Sequence, residues 1–270
     1  MSVSEDRVIA ALQDRIDAIQ KENDVLASSG GKIEVGYWHI RGLAAPLRMM
    51  CAYSGIDYDP KTYEVTGAPG SWDRSAWFDA KPALKEKNAL MNLPYVIDGD
   101  RVVTQSNACL QYLGKKLNLM GKDEHEEVLE QQCLCQVMDL RNDAVACFYG
   151  GRDADEYLQG VKGHYGKFEG WLDSHNTDYL AGSQPTTADF HLWEMLDQHE
   201  AYCVAKAKPL LLHADGEATT AYPKLKAFYS RFAALPELAD YFAGPLHALP
   251  INNKMADFGG GVVEYRSLIQ

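Results

Sequence analysis

Two short runs of strand-forming residues, Tyr95–Ile97 and Val102–Thr104, are separated by Asp98-Gly99 and a charged pair. Asp-Gly between two such runs is a local signal for a β-hairpin, because both residues accept the positive φ that a tight, strand-compatible turn requires. The stretch YVIDGDRVVT is therefore expected to form two antiparallel strands. Helical periodicity begins directly after it, in QSNACLQYLGKKLNL, so the hairpin must run straight into a helix laid on its sheet. Upstream, KIEVGYW reads as a strand. APLRMMCAYSG reads as a helix with Pro46 in its first turn and Gly55 at its end, and YDPKTYEV reads as a second strand. A loop, TGAPGSWDRSAW, follows. The order strand, helix, strand, loop, hairpin, helix over residues 32–120 defines a small α/β domain.

From residue 121 to about 245 the pattern is helical throughout, giving an all-helical second domain over 121–270 with an irregular Pro- and Gly-rich tail. DEHEEVLEQQCLCQVMDLRNDAVACF opens with acidic residues, which suit a helix N-terminus. PTTADFHLWEMLDQHEAY begins at Thr186 or Thr187, with Thr186 three residues before Asp189, the spacing of a capping box. YPKLKAFYSRFAAL starts at Pro223. Residues 1–31 stand apart. Ile9, Leu12, Ile16, Ile19, Asn23 and Leu26 alternate spacings of three and four, an a/d seam with Asn at one a position, and ASSGG then reads as a flexible joint. This extra helix either docks on its own domain or pairs as a parallel coiled coil, with itself or with another protein.

The net charge of −12 repels nucleic acid and anionic membrane surfaces. No apolar run reaches the roughly 20 residues of a membrane span, and the polar N-terminus lacks a signal-peptide core, so a cytoplasmic location is expected. The six cysteines form no C-x-x-C pair, and the expectation is reduced, buried thiols, with no metal site. Cys51 falls mid-helix, as packing.

Five strings narrow the fold further: GYWHIRGLAAPLR, APGSWDRSAWFDAK, NLPYVIDGDRVVTQSNA, QVMD and the tail NKMADF. In order and spacing they resemble the mu-class cytosolic glutathione transferases, over roughly residues 33–258. The resemblance implies a thioredoxin-like N-terminal domain, then an all-helical domain. It implies a cis peptide bond before Pro94, which turns the Leu93 backbone outward, with Asn92 nearby, to pair with the cysteinyl backbone of glutathione. Gln105 and Ser106 would cap the next helix and seat the γ-glutamyl carboxylate. Trp38, Trp77 and Lys81 would meet the glycyl carboxylate, and Asp139 of the partner subunit would hold the ammonium, so the complete site needs a homodimer. Leu43, Val145 and Tyr149 would line the electrophile pocket, with Tyr149 donating to an oxygen that gains charge. The loop TGAPGSW and the C-terminal tail would wall the cleft.

Tyr37 is the expected catalytic group. A free thiol titrates near pH 8.5, and making thiolate predominant at pH 7 needs a drop of roughly 1.5–2 units, or about 2–3 kcal/mol. One hydrogen bond to a charged acceptor contributes about 1.5–3 kcal/mol. A neutral tyrosine hydroxyl donating to the sulfur therefore suffices.

Some residues depart from the family pattern. The segment KPALKEKNALMN is about two residues longer than usual and lacks the aromatic that keys into the neighbouring subunit; Leu90 or Met91 stands near that place. His39 replaces the usual Asp or Asn and is read as a satisfied surface histidine. The implied function is conjugation of glutathione, a cosubstrate rather than a cofactor, to small hydrophobic electrophiles in detoxification. An isomerase or peroxidase would use the same thiolate. The competing reading is a structural or binding subunit of a larger assembly, docked through its N-terminal helix.

Overall fold

The computed structural model describes residues 32–212 and 221–261, together with Gln13 and Arg15, both helical and exposed. The heptad positions Ile9, Leu12, Ile16, Ile19, Asn23 and Leu26 lie outside the described residues.

Strand β1 (Ile33–Trp38) is the sheet's central strand. The 3-10 turn Gly42–Ala44 and helix α1 (Ala45–Tyr53), with Pro46 in its first turn, carry the chain over to a parallel edge. The single strand expected at YDPKTYEV is two: β2 (Tyr58–Asp59) pairs with the start of β1 and β3 (Thr62–Tyr63) with its end, both parallel. The break falls at Pro60-Lys61, where proline has no N–H to donate to a ladder. On the other side of β1 lies the hairpin of β4 (Tyr95–Asp98) and β5 (Arg101–Thr104), antiparallel and turning through Gly99 at φ 58°. The strand order is β2-β1-β4-β5, with β3 also on β1.

Part of the expected loop and the segment after it are helical: α2 (Ser75–Phe78) and α3 (Lys81–Lys87). Helix α4 (Ser106–Lys116) follows the hairpin and packs on the sheet through Cys109, Leu110 and Leu113. The helical half comprises α5 (Glu124–Gly150), α6 (Ala154–His175), α7 (Thr187–Ala205), α8 (Pro223–Ala233) and the short α9 (Ala239–Ala243). Asp123 caps α5 by accepting from the Glu126 N–H. At α7 the capping box is present: Asp189 accepts from Thr186 N–H and from Leu180 N–H, both at 2.8 Å. Every residue of α7 from Thr187 to Cys203 is buried, so it is the axis on which α1 and α5 pack.

An axis this deeply buried carries charge only if the charge is paired. Arg41, three residues after β1, reaches α7 with Nε 3.0 Å and Nη2 2.8 Å from the two Glu194 oxygens, and Nη2 also bonds Asp197. All three side chains are buried. The Arg41 and Gly42 N–H groups donate to the Pro250 and Ile251 carbonyls of the C-terminal segment. The turn that follows β1 is thus pinned from two sides, which fixes the end of the strand carrying Tyr37.

Five cysteines are buried. Cys135 is exposed, correcting the expectation of buried thiols throughout; it lies on the outer face of α5, two residues from buried Cys133. Among the described residues, no helix is long and apolar enough to cross a membrane, and no group of three or more His, Cys, Asp or Glu could hold a metal ion.

Candidate active site

Tyr37 sits near the end of β1, 6 % exposed, in a small apolar cluster with Ile40, Ala44, Trp38, Leu43 and Leu93. Its ring lies against Gly42, which has φ +40°; a Cβ there would stand 2.6 Å from Tyr37 Cε1. The close approach needs glycine, for backbone and for space. Burial pushes the Tyr37 hydroxyl above the usual tyrosine range, while the Arg141 charge and the Leu43 N–H pull it back. Tyr37 therefore holds its proton at neutral pH and is available as a donor.

Facing it is a cavity of about 30 Å³, bounded by Tyr37 and Leu43 from the sheet half and by Val145 and Tyr149 of α5. The structure thus brings the expected catalytic tyrosine together with the three residues expected at the electrophile pocket. The α5 contribution follows from periodicity: Arg141, Ala144, Val145, Phe148 and Tyr149 fall at i, i+3, i+4, i+7 and i+8, one helix face. The C-terminal segment closes the cavity. Asn252 lines it, the Asn253 N–H donates to the Tyr149 hydroxyl at 3.1 Å, and Lys254 pairs with Glu64 at 3.1 Å. The loop before α2 is closed by a bridge between Thr66 and Asp73.

The other expected contacts surround Tyr37 on the sheet half. The Leu93-Pro94 bond is cis. The β1–β4 ladder ends at Gly36 and Tyr95, leaving Leu93 just beyond it. Asn92 is exposed, and its backbone is tied to the Thr104 hydroxyl. Trp77, 1 % exposed, stacks on Tyr95 and meets Tyr63 edge-on, with Trp38 packed against the same cluster. The Lys81 ammonium lies 5.6 Å from the Trp77 ring. Gln105 occupies the N-cap position of α4 at φ 75°, ψ 123°, but its side chain makes no capping hydrogen bond. The expected side-chain cap by Gln105 is therefore absent, and Gln105 is exposed. The first-turn N–H groups of α4 are left for another acceptor.

Asp139 is exposed on the outer face of α5, on an open depression with Val128 and Cys135, and is not part of the Tyr37 cavity. His39 donates to or accepts from Thr62 Oγ1 at 3.1 Å, on the surface. Leu90 is 70 % exposed, whereas Met91 is buried under Trp77.

Sequence reasoning missed Arg141, His191, Met195 and Gln198, which also line the cavity. Arg141 carried a signal, lying four residues before Val145 and eight before Tyr149. The α7 residues carried none, because a helix buried all round has no periodicity to show which face meets the cleft.

The profile described as "Glutathione S-transferase, N-terminal domain" matches residues 33–115, and "Glutathione S-transferase, C-terminal domain" matches 138–245. Glutathione S-transferase Mu 3 of Homo sapiens is 34% identical over 229 residues, covering 83% of this chain and 94% of that protein. The chain belongs to the glutathione S-transferase family. Glutathione S-transferase Mu 2 of Rattus norvegicus is 35% identical over 226 residues, 82% of this transferase and 96% of that one. Among solved structures, the Pi-class glutathione S-transferase of Onchocerca volvulus superposes with a TM-score of 0.66 at 25% identity, over 84% of this chain and 100% of that one. The glutathione S-transferase Blo t 8 superposes with a TM-score of 0.65 at 26% identity, over 84% and 99%. The transferase therefore has the family fold, a thioredoxin-like N-terminal domain followed by a helical one.

Proposed function

We propose that this transferase binds glutathione along the sheet edge beside Tyr37, holds its thiol as thiolate, and conjugates it to small hydrophobic electrophiles. The observation that carries the reading is a buried, protonated Tyr37 facing one cavity with Leu43, Val145 and Tyr149. A hydroxyl that keeps its proton donates to sulfur, and that hydrogen bond favours thiolate over thiol by about 1.5–3 kcal/mol, the size of the roughly 2–3 kcal/mol needed. The thiol proton leaves to solvent, and the freed lone pair forms a bond to the electrophilic carbon as a leaving group departs with its bonding pair.

The rest of the tripeptide follows the chemistry of the surrounding groups. The uncapped start of α4, at Gln105 and Ser106, suits the γ-glutamyl carboxylate. The Leu93 backbone, outside the ladder and beside Pro94 and Asn92, suits the cysteinyl backbone. Lys81 with Trp38 and Trp77 suits the glycyl carboxylate. Asp139 faces outward, so it serves the ammonium only across a homodimer, with exposed Leu90 a candidate contact in that interface. Glutathione is a cosubstrate, and the reading requires no cofactor. A cytoplasmic detoxifying role, with domains divided at residues 120–121, completes it. The family comparisons do not favour a purely structural or binding subunit.

The test is conjugation of glutathione to a chlorodinitrobenzene by the full chain and its Tyr37→Phe variant. Turnover that falls by at least tenfold in the variant, with glutathione affinity retained, is expected. Equal turnover in both removes Tyr37 from the chemistry, and glutathione binding without any turnover supports the structural reading.

A further inference from the structure

The face of the sheet turned away from Tyr37 carries a chain of hydroxyl groups that the conjugation chemistry does not use. Residues alternate sides along a strand, so Glu34, Gly36 and Trp38 share the face of β1 opposite Tyr37. Gly36 pairs in register with Tyr95 of β4, and Trp38 with Tyr63 of β3. The Tyr95 ring lies directly over Gly36, where a Cβ would stand 2.1 Å from Tyr95 Cζ. That close approach lets the Tyr95 hydroxyl reach back along β1 to the half-buried Glu34, donating to Oε1 at 2.5 Å. The Tyr63 and Tyr95 hydroxyl oxygens are 2.8 Å apart.

A carboxylate only accepts, and a phenol has a single proton to give. Tyr95 gives its proton to Glu34, so Tyr63 is the donor to Tyr95. The order Tyr63 to Tyr95 to Glu34 is thereby fixed. Burial and the Glu34 hydrogen bond push the Tyr95 hydroxyl far above the usual tyrosine range, so it keeps the proton that it donates. Both phenol rings bear on Trp77. Tyr95 stacks on it with 6.2 Å between centroids, and Tyr63 meets it edge-on at 5.1 Å. The same cluster holds Trp38 and Leu93, and its remaining side chains are apolar. One end of the hydroxyl chain is therefore Glu34, and the other rests on the tryptophan that, with Lys81, suits the glycyl carboxylate.

We propose that Glu34 is a positioning residue for the glycyl end of glutathione: through Tyr95 and Tyr63 it fixes the Trp77 ring, and so sets the preference of the site for the tripeptide over a thiol dipeptide that lacks glycine. The inference rests on the transferase reading above and names what holds one end of that same site. Without the carboxylate, the Tyr95 proton turns to the Tyr63 oxygen. The Tyr63 proton then has no acceptor in an otherwise apolar cluster, and a buried hydroxyl left unpaired is relieved by moving its ring toward water. Both rings touch Trp77, so the movement passes to it. Tyr37, on the opposite face of β1, keeps its surroundings.

The test measures Kd for glutathione and for γ-glutamylcysteine, which lacks the glycyl residue, by isothermal titration calorimetry. It uses the unaltered full chain and Glu34→Leu, Glu34→Gln and Tyr95→Phe. The readout is the ratio of the two affinities, in which a partly unfolded sample or a general weakening cancels. The unaltered chain is expected to prefer glutathione. That preference should fall on the order of fivefold in Glu34→Leu and Tyr95→Phe, and return in Glu34→Gln, whose amide oxygen still accepts. With a chlorodinitrobenzene, kcat at saturating glutathione should stay within twofold of the unaltered chain. Should Glu34→Leu or Tyr95→Phe fail to fold, Tyr63→Phe, which removes one hydroxyl and keeps the ring, carries the comparison. A preference that falls less than twofold in the folded variants, or as far in Glu34→Gln as in Glu34→Leu, overturns the role of Glu34. A kcat that falls in step with the preference makes the effect a general structural one and overturns it too. Equal affinity of the unaltered chain for the two thiols removes the glycyl seat, and the proposal with it, while leaving the transferase chemistry standing. No binding of either thiol overturns the transferase reading itself.

Discussion

Replacing Arg41 with leucine should cost this fold more than any surface change. The guanidinium holds Glu194 through two hydrogen bonds, at 3.0 and 2.8 Å, and also bonds Asp197, with all three side chains out of water. Arg41→Leu leaves two carboxylates buried side by side. Gln198 Nε2 still donates to Glu194 at 2.8 Å and the Tyr229 hydroxyl to Asp197 at 2.7 Å, but neither supplies charge. Removing one partner of a buried ion pair typically costs about 3–5 kcal/mol. For a chain this long, 1 kcal/mol corresponds to roughly 2–4 °C, so the melting temperature should drop by roughly 6–20 °C. The loss also has a pH signature. Burial and Asp197 already push Glu194 upward, and Arg41 holds it down. Without Arg41, Glu194 titrates further above its unfolded value, so the native state binds more protons than the unfolded one. The variant's deficit should therefore be largest above pH 7 and shrink as pH falls toward 5. Urea denaturation followed by circular dichroism at pH 5.5, 6.5 and 7.5 measures this. A loss under 1 kcal/mol at pH 7.5, or a deficit that grows on acidification, would refute the argument.

Gly42→Ala places a Cβ 2.6 Å from the Tyr37 ring on a backbone at φ +40°, so the ring must shift. Steady-state kinetics should show kcat/KM down on the order of tenfold to a hundredfold, and an unchanged value means the ring has slack. Glu130 is buried and pushed up to about 7 by desolvation, while it accepts from the Gln111 amide and the Thr187 hydroxyl. Its folded value exceeds its unfolded one, so the native state is penalised as pH rises through 7 and not below about 4.5. Glu130→Gln should be more stable than the parent at pH 8, by up to about 3 kcal/mol, with the gap closing near pH 5; parallel melts at the two pH values decide it.

The hairpin and the starts of α5 and α7 were legible because each rests on a local pattern: Asp98-Gly99, the acidic run that opens at Asp123, and Thr186 with Asp189. The break between β2 and β3 is also written locally, in Pro60, although strand-forming residues flank it on both sides. The missing cap at Gln105 was not legible, since only the backbone shows its φ of 75°. The polar floor of the cavity depends on which face of a wholly buried helix meets the cleft. His191 stands in an apolar run as an ordinary core residue until α5 and β1 are set beside it.

The most direct test of the central claim is the acidity of the bound thiol itself. Glutathione is saturated on the full chain and on Tyr37→Phe, and thiolate absorbance in the far ultraviolet is followed across pH 5 to 10. The account predicts a midpoint near or below 7 for the unaltered protein and one higher by roughly 1–2 units in the variant, the equivalent of one hydrogen bond to a charged sulfur. Coincident titration curves, with glutathione bound in both, would contradict it.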